Sequence, residues 1–114
     1  LFRSTADPIF SIDDTIAWYK ALDAHHRGQA DAFARFFPVP GMGHSRGGPA
    51  TDQFDGIAAL VNWVEKGQAP QSILAKGTAV FPARSRPLCP YPQYAQYKGS
   101  GDPEDGSNFV CRQP

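Results

Sequence analysis

Apolar positions along the chain fall into a few short segments separated by turn residues. Leu1-Phe2 reads as the inside of a strand, which Ser4, Thr5 and Asp7-Pro8 bring to an end. Ile16, Tyr19 and Leu22, with Trp18 beside them, recur at helical spacing and predict a short amphipathic helix over about 13–24. Ser11-Ile12-Asp13-Asp14 supplies its start. A hydroxyl there can accept an early backbone N–H, and acids suit the positive end of the helix dipole. Gly28 marks the break that follows.

Ala32–Val39 is a near-continuous apolar run carrying Phe33, Phe36 and Phe37, the pattern of a strand covered on both faces. Pro38 and Pro40 close it. Gly41, Gly43, Gly47 and Gly48 crowd the next stretch, predicting tight backbone rather than a packed element. The clearest helix comes after it. Phe54, Ile57, Ala58, Val61 and Val64 form one apolar stripe, with Thr51 or Asp52 as its cap and Gly67 with Pro70 as its end. Ala79-Val80-Phe81 reads as a short strand or as merely extended chain, and residues from Arg84 to Pro114 read mostly as loop. Strand, helix, strand, helix suggests an α/β class. The strands are too few for a complete doubly wound sheet, so the chain is expected to be the terminal part of a larger α/β fold.

Composition narrows the function classes. A chain of 114 residues is expected to form one folding unit at most. With 41% apolar and 19% charged residues it is not a disordered chain. Lys+Arg and Asp+Glu both number 11, without the basic excess of a nucleic-acid module. No apolar run approaches the roughly 20 residues of a membrane span. There is no start Met and no signal peptide, and the strand-like opening suggests a piece of something longer. Cys89 and Cys111 could be free core thiols or one staple. Neither belongs to a Cys-x-x-Cys, which argues against a zinc or redox site. In proline-rich, loop-like sequence a staple would add most, and it is the favoured reading.

Gly43-His44-Ser45-Arg46-Gly47 matches the G-x-S-x-G of a serine nucleophile elbow. An elbow must pass from strand straight into helix, whereas Gly47-Gly48-Pro49 follows here. No histidine lies beyond His44 to complete the order serine, acid, histidine. His44 is therefore better read as a base, or else as an ordinary loop histidine. Asp7 sits where the first strand would end, at the strand-tip position where α/β enzymes place functional groups. It precedes His44, as an acid should, although in isolation an Asp-Pro turn is the favoured reading. His25 and His26 read as solvated residues at a helix end. Asp13, Asp14 and Asp52 read as caps. Asp102, Glu104 and Asp105 lack the spacing of a full EF-hand loop and read as a solvated turn.

Several segments taken together resemble one family. They are Ala6-Asp7-Pro8, Val39-Pro40-Gly41-Met42-Gly43-His44, and Gly47-Gly48-Pro49 leading to Phe54-Asp55. Leu60-Val61-x-Trp63-Val64-Glu65-x-Gly67-x-Ala69-Pro70 and Arg86-Pro87-Leu88-Cys89-Pro90-Tyr91-Pro92 follow. Tyr97-x-Gly99-Ser100-Gly101-Asp102, with Phe109 and Cys111, completes the set. The chain resembles the C-terminal end of the tannase and feruloyl esterase family, which includes bacterial mono(hydroxyethyl) terephthalate hydrolase-like enzymes.

The resemblance implies that residues 1–114 are the C-terminal portion of an α/β-hydrolase catalytic domain, with a large lid inserted upstream. It implies a serine carboxylesterase acting on galloyl, feruloyl or terephthaloyl esters, secreted or periplasmic. Asp7 would be the triad acid, His44 the triad base, and Phe10 a lining residue of the aromatic acyl pocket. The nucleophilic serine, the oxyanion donors and a calcium site in the lid would lie upstream. No cofactor is then expected in this segment, and the fragment alone would be inactive. Cys89 and Cys111 would match the family's C-terminal disulfide. The partners implied are a small aromatic ester and the remainder of the hydrolase chain, with neither nucleic acid nor membrane. One departure stands out. Ser45 occupies the place of a cysteine that, in typical members, bridges to a cysteine beside the nucleophile. The rival expectation is a non-catalytic, disulfide-stapled binding or interaction module.

Overall fold

Two short strands anchor the molecule. β1 (Phe2–Ser4) runs parallel to β2 (Phe37–Val39), with Phe2 opposite Phe37 and Ser4 opposite Val39. The computed structural model describes all 114 residues, Leu1 to Pro114. Phe36, Phe37 and Val39 are buried, as the aromatic run predicted, whereas Phe33 of the same run is 55% exposed. The strand itself is shorter than the expected 32–39. Ala30–Ala32 is a single 3₁₀ turn, and the N–H groups of Phe33 and Ala34 both return to the Ala30 carbonyl. The chain is still turning there, and β1 is only three residues long, so only three residues of β2 find a ladder partner.

α1 (Ile12–His25) matches its expected span closely. The Ser11 hydroxyl accepts the N–H groups of Asp13 and Asp14 at 3.1 and 3.4 Å. Tyr19 is buried against Phe36 and Ala30, and its hydroxyl donates to the Ala34 carbonyl. α2 (Gly56–Lys66) is capped by Asp55, whose carboxylate accepts the Ala58 N–H at 2.8 Å, not by Thr51 or Asp52. Gly67 ends it in the left-handed conformation. Its N–H bonds the Trp63 carbonyl while Gln68 bonds that of Asn62. The stripe is not a buried face within this chain: Ile57 and Val64 are 73% and 76% exposed. Only Phe54, ahead of the helix, and Ala59 lean on the core.

The second half is more ordered than loop-like sequence suggests. β3 (Ile73–Lys76) pairs antiparallel with β4 (Ser85–Leu88), and β5 (Tyr94–Tyr97) pairs antiparallel with β6 (Phe109–Arg112). Ala79-Val80-Phe81 is not a strand; it belongs to the connection where Arg84 N–H returns to the Phe81 carbonyl. A disulfide joins Cys89, just past β4, to Cys111 in β6, as the loop composition and the resemblance both indicated. Ser85 reinforces the join, since its N–H donates to the Glu104 carbonyl and its hydroxyl accepts the Gly106 N–H. The main core unites Phe37 and Val39 of β2, Met42 and Ala50 of the glycine loop, and Ile73, Ala75 and Leu88 of the β3–β4 hairpin. The result is an α/β chain with two helices, few strands and one disulfide. No helix is long and apolar enough to cross a membrane.

Candidate active site

The parallel ladder sets the site because its hydrogen bonds continue past the strand ends. Thr5 N–H donates to the Val39 carbonyl at 3.2 Å, and Ala6 N–H to the Met42 carbonyl at 3.0 Å. The Thr5 hydroxyl in turn accepts the Gly41 N–H at 2.9 Å. The loop after β1 and the loop after β2 are thus stitched together before any side chain of the site is considered. The sequence marks Thr5 only as a strand end; the pairing of these two strands is what gives its hydroxyl a partner.

Asp7 stands on the first loop and His44 on the second. Asp7 Oδ2 lies 3.0 Å from His44 Nδ1. Asp7 Oδ1 accepts the N–H groups of Ile9 and Phe10 at 2.8 and 3.2 Å, a local turn that aims the carboxylate. The Asp7 side chain is only 2% exposed, whereas that of His44 is 45% exposed. Removal from water is the largest influence on the Asp7 carboxyl and pushes its pKa up. The hydrogen bonds from Ile9, His44 and Phe10 together outweigh it and hold the group below its ordinary value of 3.8. An ionised carboxylate can only accept, so the nitrogen facing it, Nδ1, is a donor, and in the neutral ring the lone pair falls on Nε2. In that tautomer the open edge of the imidazole is a proton acceptor, oriented from behind.

The Phe10 ring lies 5.7 Å from the His44 ring, centre to centre, and the Arg3 guanidinium lies 5.4 Å from the Phe10 ring centre. Phe10 is 51% exposed and forms an aromatic surface beside the imidazole. The glycine loop beneath His44 is closed by a contact that admits no side chain. Gly48 adopts φ +83°, and a Cβ on it would lie 2.4 Å from the Gly41 carbonyl oxygen.

The other candidates stand apart. His25 and His26 sit at the end of α1, with the His26 ring against Phe33, and take no part in the pair. Ser45 has φ +66° and is followed by irregular chain, with no helix until Gly56, so its surroundings are not those of an elbow. Asp52 is no helix cap. Its Oδ2 accepts the Gly47 N–H at 2.8 Å and its Oδ1 the Thr78 hydroxyl at 2.9 Å. Glu104 pairs with Arg84 through two bonds of 2.7 and 2.8 Å, and Asp105 caps the turn at Ser107. These acids are committed to the chain itself.

An α/β chain of this make-up, with a shielded carboxylate behind an imidazole at neighbouring strand ends, belongs with the esterase-like folds. A family model described as tannase and feruloyl esterase matches residues 1–112, and the chain belongs to that family. It is 51% identical to a mono(2-hydroxyethyl) terephthalate hydrolase of Piscinibacter sakaiensis, over all of this chain and 19% of that protein. It is 44% identical to an uncharacterized esterase of Xanthomonas campestris, over 97% of this chain and 25% of that protein. An esterase structure from Aspergillus oryzae superposes with a TM-score of 0.81 at 28% identity, over 97% of this chain and 26% of the other. The chain thus spans about a fifth to a quarter of the length of these three proteins. Family and relatives alike are ester hydrolases.

Proposed function

We propose that residues 1–114 form the C-terminal portion of an α/β-hydrolase catalytic domain and supply the acid and base of a serine carboxylesterase. The observation that carries this is the 3.0 Å contact between Asp7 Oδ2 and His44 Nδ1, with the carboxylate shielded and the far side of the ring open. In this reading a serine from an earlier part of the polypeptide gives its proton to His44 Nε2 and attacks the ester carbonyl. His44 returns that proton to the departing alcohol. It then takes one from the water that attacks the acyl-enzyme and passes it to the serine oxygen as the acid leaves. Asp7 holds the ring in the Nδ1–H tautomer and stabilises the imidazolium. Phe10, beside the imidazole, lines the site of an aromatic acyl group.

The relatives' names support esters of aromatic acids, of the galloyl, feruloyl or terephthaloyl kind. Ser45 leaves the histidine loop without a cystine tether to the nucleophile, so packing and hydrogen bonds alone must hold it. A calcium ion of the lid would lie outside this chain, and no step here depends on it. The disulfide fits a secreted or periplasmic protein.

The test uses the full-length polypeptide with methyl ferulate and mono(2-hydroxyethyl) terephthalate as substrates, and a fluorophosphonate as a label for the nucleophile. Asp7→Asn would turn an amide N–H toward Nδ1 and stabilise the wrong tautomer. The same change in a related triad lowers kcat by about 10⁴-fold, and a loss of that order is expected here with KM little changed. His44→Ala should abolish both turnover and labelling. Retention of more than a tenth of wild-type kcat in either variant sinks the proposal, and a label found on Ser45 sinks the assignment of the nucleophile.

A further inference from the structure

We infer that Asp52 and Thr78 form a clamp that positions His44; the inference rests on the reading of His44 as the base. The loop bearing His44 has an unusual backbone: Ser45, Gly47 and Gly48 all take left-handed φ values of +66°, +71° and +83°. Such a path is costly for Ser45 and holds only where the surroundings determine it. Three hydrogen bonds do so in sequence. Gly43 N–H donates to the Gly47 carbonyl at 2.9 Å, closing a small ring of backbone with His44 inside it. Gly47 N–H, on the other side of the same residue, donates to Asp52 Oδ2 at 2.8 Å. Asp52 Oδ1 accepts the Thr78 hydroxyl at 2.9 Å.

The clamp is anchored at both ends. Gln53 pairs with Lys76 at the edge of β3 through two backbone bonds of 2.8 and 3.0 Å, which fixes Asp52 against the hairpin. Thr51, just before it, is buried. Thr78 follows β3 by two residues, after Gly77, whose N–H donates to the Arg84 carbonyl. The rigidity of the β3–β4 hairpin therefore reaches the imidazole through one carboxylate. The Gly47 N–H is the largest influence on that carboxyl, followed by the Thr78 hydroxyl, and both hold its pKa below the ordinary value. Asp52 and Thr78 touch neither substrate nor reacting atoms; they are positioning residues.

The prediction follows from what a displaced base costs. A shift of about 1 Å in a catalytic group can lower the rate by about 100-fold. In the full-length polypeptide, Asp52→Ala should lower kcat by roughly 10- to 100-fold with KM within about twofold of wild type. It should also weaken or broaden the downfield proton resonance of His44 Nδ1–H. Asp52→Asn keeps an acceptor for Gly47 and can donate to the Thr78 oxygen, so it should restore most of kcat and the resonance. Thr78→Val should lower kcat by several-fold and Thr78→Ser should recover it, a pair that reads the clamp even if Asp52→Ala fails to fold.

An Asp52→Ala or Thr78→Val protein with unchanged kcat and an unchanged His44 resonance would overturn the inference, whatever its melting temperature. His44→Ala is run alongside. An active His44→Ala protein sinks the esterase reading itself, whereas an inactive one beside unimpaired clamp variants sinks only the clamp.

Discussion

Breaking the Cys89–Cys111 disulfide should loosen one part of the molecule and leave the rest intact. The β5–β6 hairpin has little core of its own: Tyr94, Tyr97 and Val110 are 47%, 36% and 38% exposed. Apart from the disulfide it is tied to β4 and the residue before it by the Arg84–Glu104 pair, the Arg86 guanidinium over the Phe109 ring at 4.1 Å, the two Ser85 bonds and the packing of Gly106. Partly exposed ion pairs contribute little and an exposed cation–π contact about 0.5–1 kcal/mol, so the covalent link is the main restraint. The two cysteines are 22 residues apart, and chain entropy for a loop of that length gives about 3.4 kcal/mol of stabilisation. If that loss falls on the hairpin, its opening equilibrium should rise roughly 300-fold.

The assay is amide hydrogen exchange on the Cys89→Ala/Cys111→Ala double variant in the full-length polypeptide. Protection over Tyr94–Tyr97 and Phe109–Arg112 should fall by two to three orders of magnitude, while Phe37–Val39 keeps its own. A loss under tenfold in the hairpin, or an equal loss in β2, would show that the disulfide is not what holds this segment.

Two further outcomes follow from the same structure. Asp7, Asp52, Glu104 and Asp105 all have folded-state pKa values below their ordinary ones. Glu104 owes this first to the Arg84 guanidinium and Asp105 first to the Ser107 N–H. The folded chain therefore binds fewer protons than the unfolded one through this range, so these groups stabilise fully above about pH 4 to 5. That contribution is lost as pH falls through the folded values. Denaturant melts should show lower stability at pH 3 than at pH 6, and equal stability at the two would refute the linkage.

Gly47→Ala and Gly48→Ala should separate backbone strain from steric clash. A Cβ on Gly47 meets nothing within 4 Å, so Gly47→Ala should cost only the left-handed penalty of about 1–2 kcal/mol. On Gly48 the Cβ meets the Gly41 carbonyl at 2.4 Å, so Gly48→Ala should lower the melting temperature further and reduce activity by displacing the His44 loop. Equal melting temperatures for the two variants would contradict this.

The helices were legible in the chain because their signals are local. Ser11 ahead of Asp13 and Asp14, and the apolar spacing before Gly67, act within a turn or two and need no distant partner. The strands of the second half were not legible for the opposite reason. Ser-Arg-Pro-Leu and Tyr-Ala-Gln-Tyr carry no strong alternation, and each becomes a strand only because a partner and a disulfide hold it in place. Asp52 was misread on the same grounds. An acid shortly before a helix looks like a cap, and nothing local shows that Thr78 will arrive beside it.

Residue order by itself determined which groups could act: a carboxylate before a proline turn, an imidazole in a glycine loop, two cysteines in a proline-rich tail, and the family these motifs resemble. Tertiary structure alone decided that Asp7 and His44, 37 residues apart, meet at 3.0 Å. It also decided which ring nitrogen faces the acid and that Asp52 braces the loop from behind. The physical reason is one of range. Capping, turn preference and periodicity are set within a few residues, whereas a parallel ladder between Phe2–Ser4 and Phe37–Val39 exists only once the intervening chain has folded back across it.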